Sequence, residues 1–128
     1  MHSAVVLEDR LKPAAEAAAQ PVDRVHLARY TMGDRELERE VLELFANQTW
    51  KTIAELREAE NDRAWHVAAH TLKGSARAVG AWRVAREAEM AEKVGGASDR
   101  SAAVDAIERI EQAAMEATVY VRHLAAVA

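Results

Sequence analysis

From Asp23 onward the apolar residues of this chain recur at intervals of three and four. The strict alternation that marks a strand is lacking, and capping or stopping residues bound each periodic stretch. Asp23 caps a short predicted helix through about Tyr30, ended by Gly33. Asp34 then caps a long one, with Glu36 and Glu38 in the first turn, where the positive end of a helix favours acids. Its predicted core stripe is Leu37, Val41, Leu44, Phe45, Gln48, Thr52 and Leu56, flanked by Leu42 and Ile53. Asn61 caps a third helix that runs to Val79 and stops at Gly80. A fourth runs from about Ala81 to Val94 and ends at Gly95 and Gly96. Ser98 caps the last, with Val104, Ile107, Glu111, Ala114, Thr118, Val121 and Ala125 along one side.

Short loops between amphipathic helices imply antiparallel neighbours. The pattern therefore predicts an all-α fold, an up-and-down antiparallel four-helix bundle with a short N-terminal lid helix. Leu42, Phe45, Ile53, Leu56, Leu72, Val79, Val84, Ile107 and Val121 are its expected core. Residues 22–128 form the expected bundle domain. Residues 1–21, with Pro13, an alanine-rich patch and Pro21, are a lead-in that the sequence leaves open between a short helix and a loose segment.

Composition narrows the chemistry. A length of 128 residues suits one domain, and half of the residues are hydrophobic, enough to build a core. The chain has no cysteine, which excludes disulfides, thiolate zinc sites and cysteine nucleophiles. A net charge of −4 weighs against nucleic acid as a partner, because neutralising phosphates takes a basic excess. Near the start the longest apolar run, Ala4 to Leu7, is too short for a signal peptide or a membrane span. The expectation is a cytoplasmic protein without a membrane partner. A bundle that buries its stripes internally has no need to dimerise, so a monomer is expected.

The third helix carries residues that a core does not need. At ~100° per residue, Ala64, Ala68, Thr71, Leu72, Ser75 and Val79 gather on one side. His66, His70, Lys73 and Arg77 fall opposite, with Gly74 at the edge of the group. Surface histidines, lysines and arginines are ordinary. Gly74 is not, since a glycine inside a helix costs about 1 kcal/mol relative to alanine. Its missing side chain leaves a clearing beside His70 that another protein could approach closely. Phosphoryl chemistry gives the group a purpose. Neutral imidazole is a competent nucleophile near neutral pH. Lys73, one turn on, can place an ammonium near the oxygens of a transferring phosphoryl group. Gly74 lets a partner's active site close over the histidine.

The run His70-Thr71-Leu72-Lys73-Gly74-Ser75-Ala76-Arg77-Ala78-Val79-Gly80 resembles the signature of the histidine phosphotransfer (HPt) family, H-x-L-K-G followed by small residues and a second glycine. More loosely, the likeness extends to Gly33-Asp34 and to the helical layout from about Val22 onward. It implies a four-helix bundle whose exposed histidine exchanges phosphate with the aspartate of response-regulator receiver domains. On that resemblance His70 is the phosphorylated residue, Lys73 and Gly74 support it, and Leu72 and Ser75 belong to the packing side. His66 and Arg77 join the docking face by helical phase alone. The implied partners are receiver domains and a hybrid sensor histidine kinase. No cofactor is expected in this chain, and any Mg²⁺ required should belong to the receiver.

Three rival readings fit the residues less well. A zinc site at His66 and His70 lacks the glutamate of the H-E-x-x-H helix, and Lys73 would repel the cation. A histidine kinase normally has an acidic residue after its histidine, where Thr71 stands here, and needs a nucleotide-binding domain. The chain is therefore expected to act as a phosphocarrier and not as an autonomous ATP-dependent kinase. A non-catalytic helical adaptor would keep the bundle but need neither His70 nor Lys73. Both are intact.

Overall fold

The computed structural model describes residues 20–94 and 96–127. The expected lead-in, residues 1–21, lies almost wholly outside the described residues. Five α-helices follow: α1 (Arg24–Thr31), α2 (Arg35–Glu58), α3 (Asp62–Val79), α4 (Trp82–Lys93) and α5 (Arg100–Val127). A 3-10 turn, Gly96–Ser98, sits between α4 and α5. There is no strand among the described residues.

Local chemistry sets most of these boundaries. The Asp23 side chain accepts from the backbone N–H of His26 to start α1, and Asp34 accepts from Glu36 and Leu37 to start α2. Asn61 accepts from Ala64 to start α3. Gly80, at φ 81°, closes α3 in the left-handed region, where a side chain is strained. One cap differs from expectation. Asp99, not Ser98, accepts from the N–H of Ala102 at the head of α5, while Ser98 donates to the Asp62 carboxylate from both backbone and hydroxyl. The carboxylate one residue later is the better-placed acceptor, and Ser98 ties the turn back to α3.

Helices α2 to α5 pack in a ring, each against its neighbours in sequence, with α2 and α5 closing it. Cross-links between neighbours run in opposite directions along the chain. Lys73 meets Glu92 while Arg77 meets Glu89, and Trp50 meets Thr118 while Arg57 meets Glu111. Neighbouring helices are thus antiparallel, as short loops require. Helix α1 packs on α2 and α3 as the lid. Its start is pinned where Asp23 N–H donates to the Gly80 carbonyl (2.9 Å) and Trp82 Nε1 donates to the Asp23 carboxylate (3.0 Å). A Cβ on Gly80 would stand 2.9 Å from the Asp23 carbonyl oxygen. The second glycine of the α3 motif is therefore needed by the lid as well as by the helix end.

All nine expected core residues are buried. The stripes around them are rotated. On α3 the inward face is Trp65, Ala68, Ala69, Leu72, Ala76 and Val79, whereas Ala64 and Thr71 are exposed. On α2 it is Glu38, Leu42, Phe45, Thr49, Thr52, Ile53 and Leu56, while Leu37, Leu44 and Gln48 face solvent. On α5, Val104 and Ala125 are exposed, and Ala103, Ala106 and Ile110 take the core positions. Trp65 explains the turn of α3. It is the largest fully buried side chain, and its Nε1 donates to the Ala91 carbonyl of α4 at 2.8 Å. Burying an indole contributes more than burying an alanine or threonine methyl, so α3 rotates to place it inward. Buried alanines line both helices, at 68, 69 and 76 on α3 and at 85, 88 and 91 on α4, and side chains this short let helices approach closely.

Candidate functional site

The rotation of α3 decides what stands on its outer face. His70 lies away from the core stripe with 67% of its side chain exposed, as expected. Gly74 lies beside it, one turn further along α3 and exposed. An added Cβ at Gly74 would meet nothing within 4 Å. The clearing inferred from the sequence is therefore real space, and Gly74 plays no part in helix packing.

His66 shares the face one turn earlier, its ring roughly parallel to that of His70 with centroids 6.3 Å apart. Lys73 and Arg77 fall on the flank toward α4. Arg77 donates to Glu89 at 3.3 Å. Lys73 is the residue whose setting differs from expectation. Its side chain is only 15% exposed, and its Nζ donates to Glu92 Oε2 at 2.7 Å.

Glu92, in the last turn of α4, is the member that sequence reasoning missed. Its other oxygen, Oε1, lies 2.7 Å from Nδ1 of His70, so a single carboxylate bridges the histidine and the lysine. The location is costly for an acid. The side chain is only 10% exposed and sits near the negative end of its helix. Burial pushes the Glu92 carboxyl upward, but hydrogen bonds from Lys73 and His70 outweigh it and hold the group below the usual carboxylate range. Near neutral pH Glu92 is thus an anion, able only to accept. The proton in its contact with His70 therefore belongs to Nδ1, and in the neutral form of the ring Nε2 is the nitrogen with the free lone pair. The Trp65–Ala91 hydrogen bond fixes the backbone of α4 one residue before Glu92.

The arrangement can present one imidazole nitrogen as a nucleophile on an open face, with an ammonium and a carboxylate held beneath it. Among the described residues, no group of three or more histidine, aspartate or glutamate side chains is arranged to hold a metal ion. None of the described helices is long and apolar enough to cross a membrane.

The family model of the Hpt domain matches residues 38–119, a span from the first turn of α2 to the last third of α5. This chain belongs to the Hpt domain family. Nothing among curated proteins or solved structures matches it. Hpt domains are helical bundles that serve phosphotransfer in two-component phosphorelays and interact with response-regulator receivers and kinases. The outer face of α3 in this Hpt domain, with His70 at its middle, lies entirely inside the matched span.

Proposed function

We propose that this Hpt domain is a phosphocarrier in which His70 accepts a phosphoryl group from the aspartate of one receiver domain and donates it to that of another. A receiver attached to a hybrid sensor histidine kinase is the natural donor. The reading rests above all on one observation: an exposed imidazole whose Nδ1 is engaged by a buried carboxylate, leaving Nε2 as its nucleophilic nitrogen. No ATP-dependent step is assigned to this chain, and Mg²⁺ is the receiver's to supply. Incubation with a phosphorylated receiver should label His70, whereas ATP and Mg²⁺ alone should not. A chain that binds receivers yet never takes label would be an adaptor.

Lys73 supplies charge to the transferring group from the flank of the site. Its ammonium, held by Glu92, is within reach of the same imidazole, and a phosphoryl group on Nε2 brings further negative charge for it to meet. Lys73→Ala should lower the transfer rate at saturating receiver by about ten- to a hundredfold, the worth of one electrostatic contact in a partly dry interface. A defect confined to the receiver concentration needed for half-maximal rate would assign Lys73 to docking instead.

The docking footprint follows from the rotated helices. The α4 flank of α3 is polar, with Arg77, Lys93 and Glu89 linked to one another. The α2 flank is apolar: Leu37, Val41 and Leu44 line a groove with Ser75 and Ala78 of α3. From His70 to Ala78 is roughly 12 Å along the helix, well within an interface of about 800 Å² per partner. A receiver closing over His70 therefore covers Gly74, Ala78 and this groove, with His66 and Arg77 at its polar margin. Leu44, 72% exposed, adds nothing to the core. Leu44→Glu should raise the half-saturating receiver concentration about tenfold and leave the rate at saturation unchanged. An unchanged concentration dependence would move the footprint off α2.

A further inference from the structure

Glu92 has no place in the motif that marks α3, and its partners are 19 and 22 residues away in the chain. A Lys73–Glu92 ion pair alone could serve to hold α4 against α3, but it would leave the contact with His70 unexplained. We infer that Glu92 is a positioning residue that retains the proton on Nδ1 of His70 after phosphorylation, keeping the phosphorylated ring in the form that can give its phosphoryl group away. The inference rests on His70 being the phosphoacceptor.

The proton balance makes the requirement plain. In acceptance, the Nε2 lone pair forms a bond to the phosphorus of the receiver's aspartyl phosphate. The bond from phosphorus to the aspartate oxygen breaks, and its electron pair stays on the aspartate carboxylate. No proton moves, so the ring, which already holds hydrogen on Nδ1, becomes a phosphorylated imidazolium cation. In donation, a receiver carboxylate oxygen attacks phosphorus and the N–P electron pair returns to Nε2. If Nδ1 still holds its proton, the leaving group is neutral imidazole. If the proton has gone, the leaving group is imidazolate, a far stronger base and a far poorer leaving group. A phosphorylated histidine that loses this proton therefore stores its phosphoryl group but stops delivering it.

The charges facing the ring are unequal in this respect. From α3, Lys73 opposes a cation on His70, and His66 does so whenever it is itself protonated. From α4, Glu92 favours the cation at hydrogen-bond distance, and Glu89 lies farther along the same helix with its charge engaged by Arg77 and Lys93. Glu92 is the only one of these groups whose oxygen meets Nδ1 itself. Its carboxylate accepts from the neutral ring before transfer and from the cation afterwards, without moving.

Glu92→Gln separates charge from geometry, because the amide oxygen can still accept from Nδ1–H but carries no negative charge. The full-length chain would be phosphorylated at His70 with the small-molecule donor phosphoramidate, and the phosphohistidine titrated by ³¹P NMR with no receiver present. The titration midpoint of the wild type should lie at least one pH unit above that of Glu92→Gln and above that of an unstructured phosphohistidine peptide. Single-turnover donation to a receiver should then be similar for both proteins near pH 6. Above both midpoints the variant should be about tenfold slower for each unit of separation. Equal midpoints in wild type and variant would overturn the inference. So would a wild-type midpoint equal to that of the peptide, a comparison that holds even if the variant is unstable. Failure of the phosphorylated chain to donate to any receiver, with the midpoints separated as expected, would instead count against the phosphocarrier reading.

Discussion

His70→Gln should abolish phosphoryl acceptance from a phosphorylated receiver while leaving the thermal melt of the protein nearly unchanged. The first half follows from chemistry. Glutamine has no nitrogen lone pair comparable to Nε2, and among the described residues no other imidazole stands over both Lys73 and Glu92. The second half follows from exposure, since two thirds of the His70 side chain is already in water. Surface substitutions of this kind usually change stability by no more than about 0.5 kcal/mol. His66→Gln is the informative companion. Its ring shares the outer face of α3 but lies 6.3 Å from that of His70, and most acceptance should survive its loss. Equal damage from the two substitutions would mean that the histidines act as a pair, and a joint metal-binding or catalytic role would then replace the single-nucleophile reading.

The outline of the bundle was legible in the sequence because its punctuation is chemically unambiguous. Asp23, Asp34 and Asn61 each cap a helix, and Gly80 ends one. Rotation about each helix axis was harder to read, for a physical reason. Alanine is nearly neutral between core and surface, so α3 offered two overlapping small-residue stripes, one through Ala64, Ala68 and Ser75 and one through Ala68, Ala69 and Ala76. Trp65 resolves the choice, having the most surface to bury and an indole N–H that finds the Ala91 carbonyl. On α2 the exposed leucines at 37 and 44 misled in the opposite sense. They look like core but line the groove beside the His70 face.

The site was legible only as far as one helix reaches. His70, Lys73 and Gly74 lie within a single turn of α3, so helical phase alone could group them. Glu92 enters from α4, and no periodicity within α3 points to it. The only trace in the sequence is an acidic series on α4, at Glu87, Glu89 and Glu92, of which the last two face the basic side chains of α3 and Glu87 turns to Arg109 of α5. Which of the three meets His70 depends on how α3 and α4 slide past one another, and that is set by alanine packing and by the Trp65–Ala91 contact. The same packing changes the meaning of Lys73. The sequence suggested a free surface ammonium, whereas the folded protein holds it by a carboxylate shared with the nucleophile.

Gly74→Leu should separate folding from function more sharply than any other single change at this site. In the isolated protein the substitution meets no obstacle, because a Cβ at this position has nothing within 4 Å and the backbone is ordinary helix. Leucine is also the better helix former, by somewhat less than 1 kcal/mol, so the melting temperature should hold or rise slightly. Transfer should suffer severely. The new side chain stands one turn from His70, in the space that a receiver must occupy to bring its aspartate in line with Nε2. Phosphoryl transfer depends on positioning, and displacement of the reacting atoms by about 1 Å can cost a hundredfold in rate. At moderate receiver concentrations a loss of at least about that size is expected. Phosphoramidate, being small, should still label His70 at nearly the wild-type rate, which places the defect in access by the partner and not in the nucleophile. Thermal melts, labelling by phosphoramidate and single-turnover transfer over a range of receiver concentrations test these claims separately. A sharp fall in melting temperature would make Gly74 a packing residue after all, and normal transfer from receivers would show that the partner never closes over this part of α3.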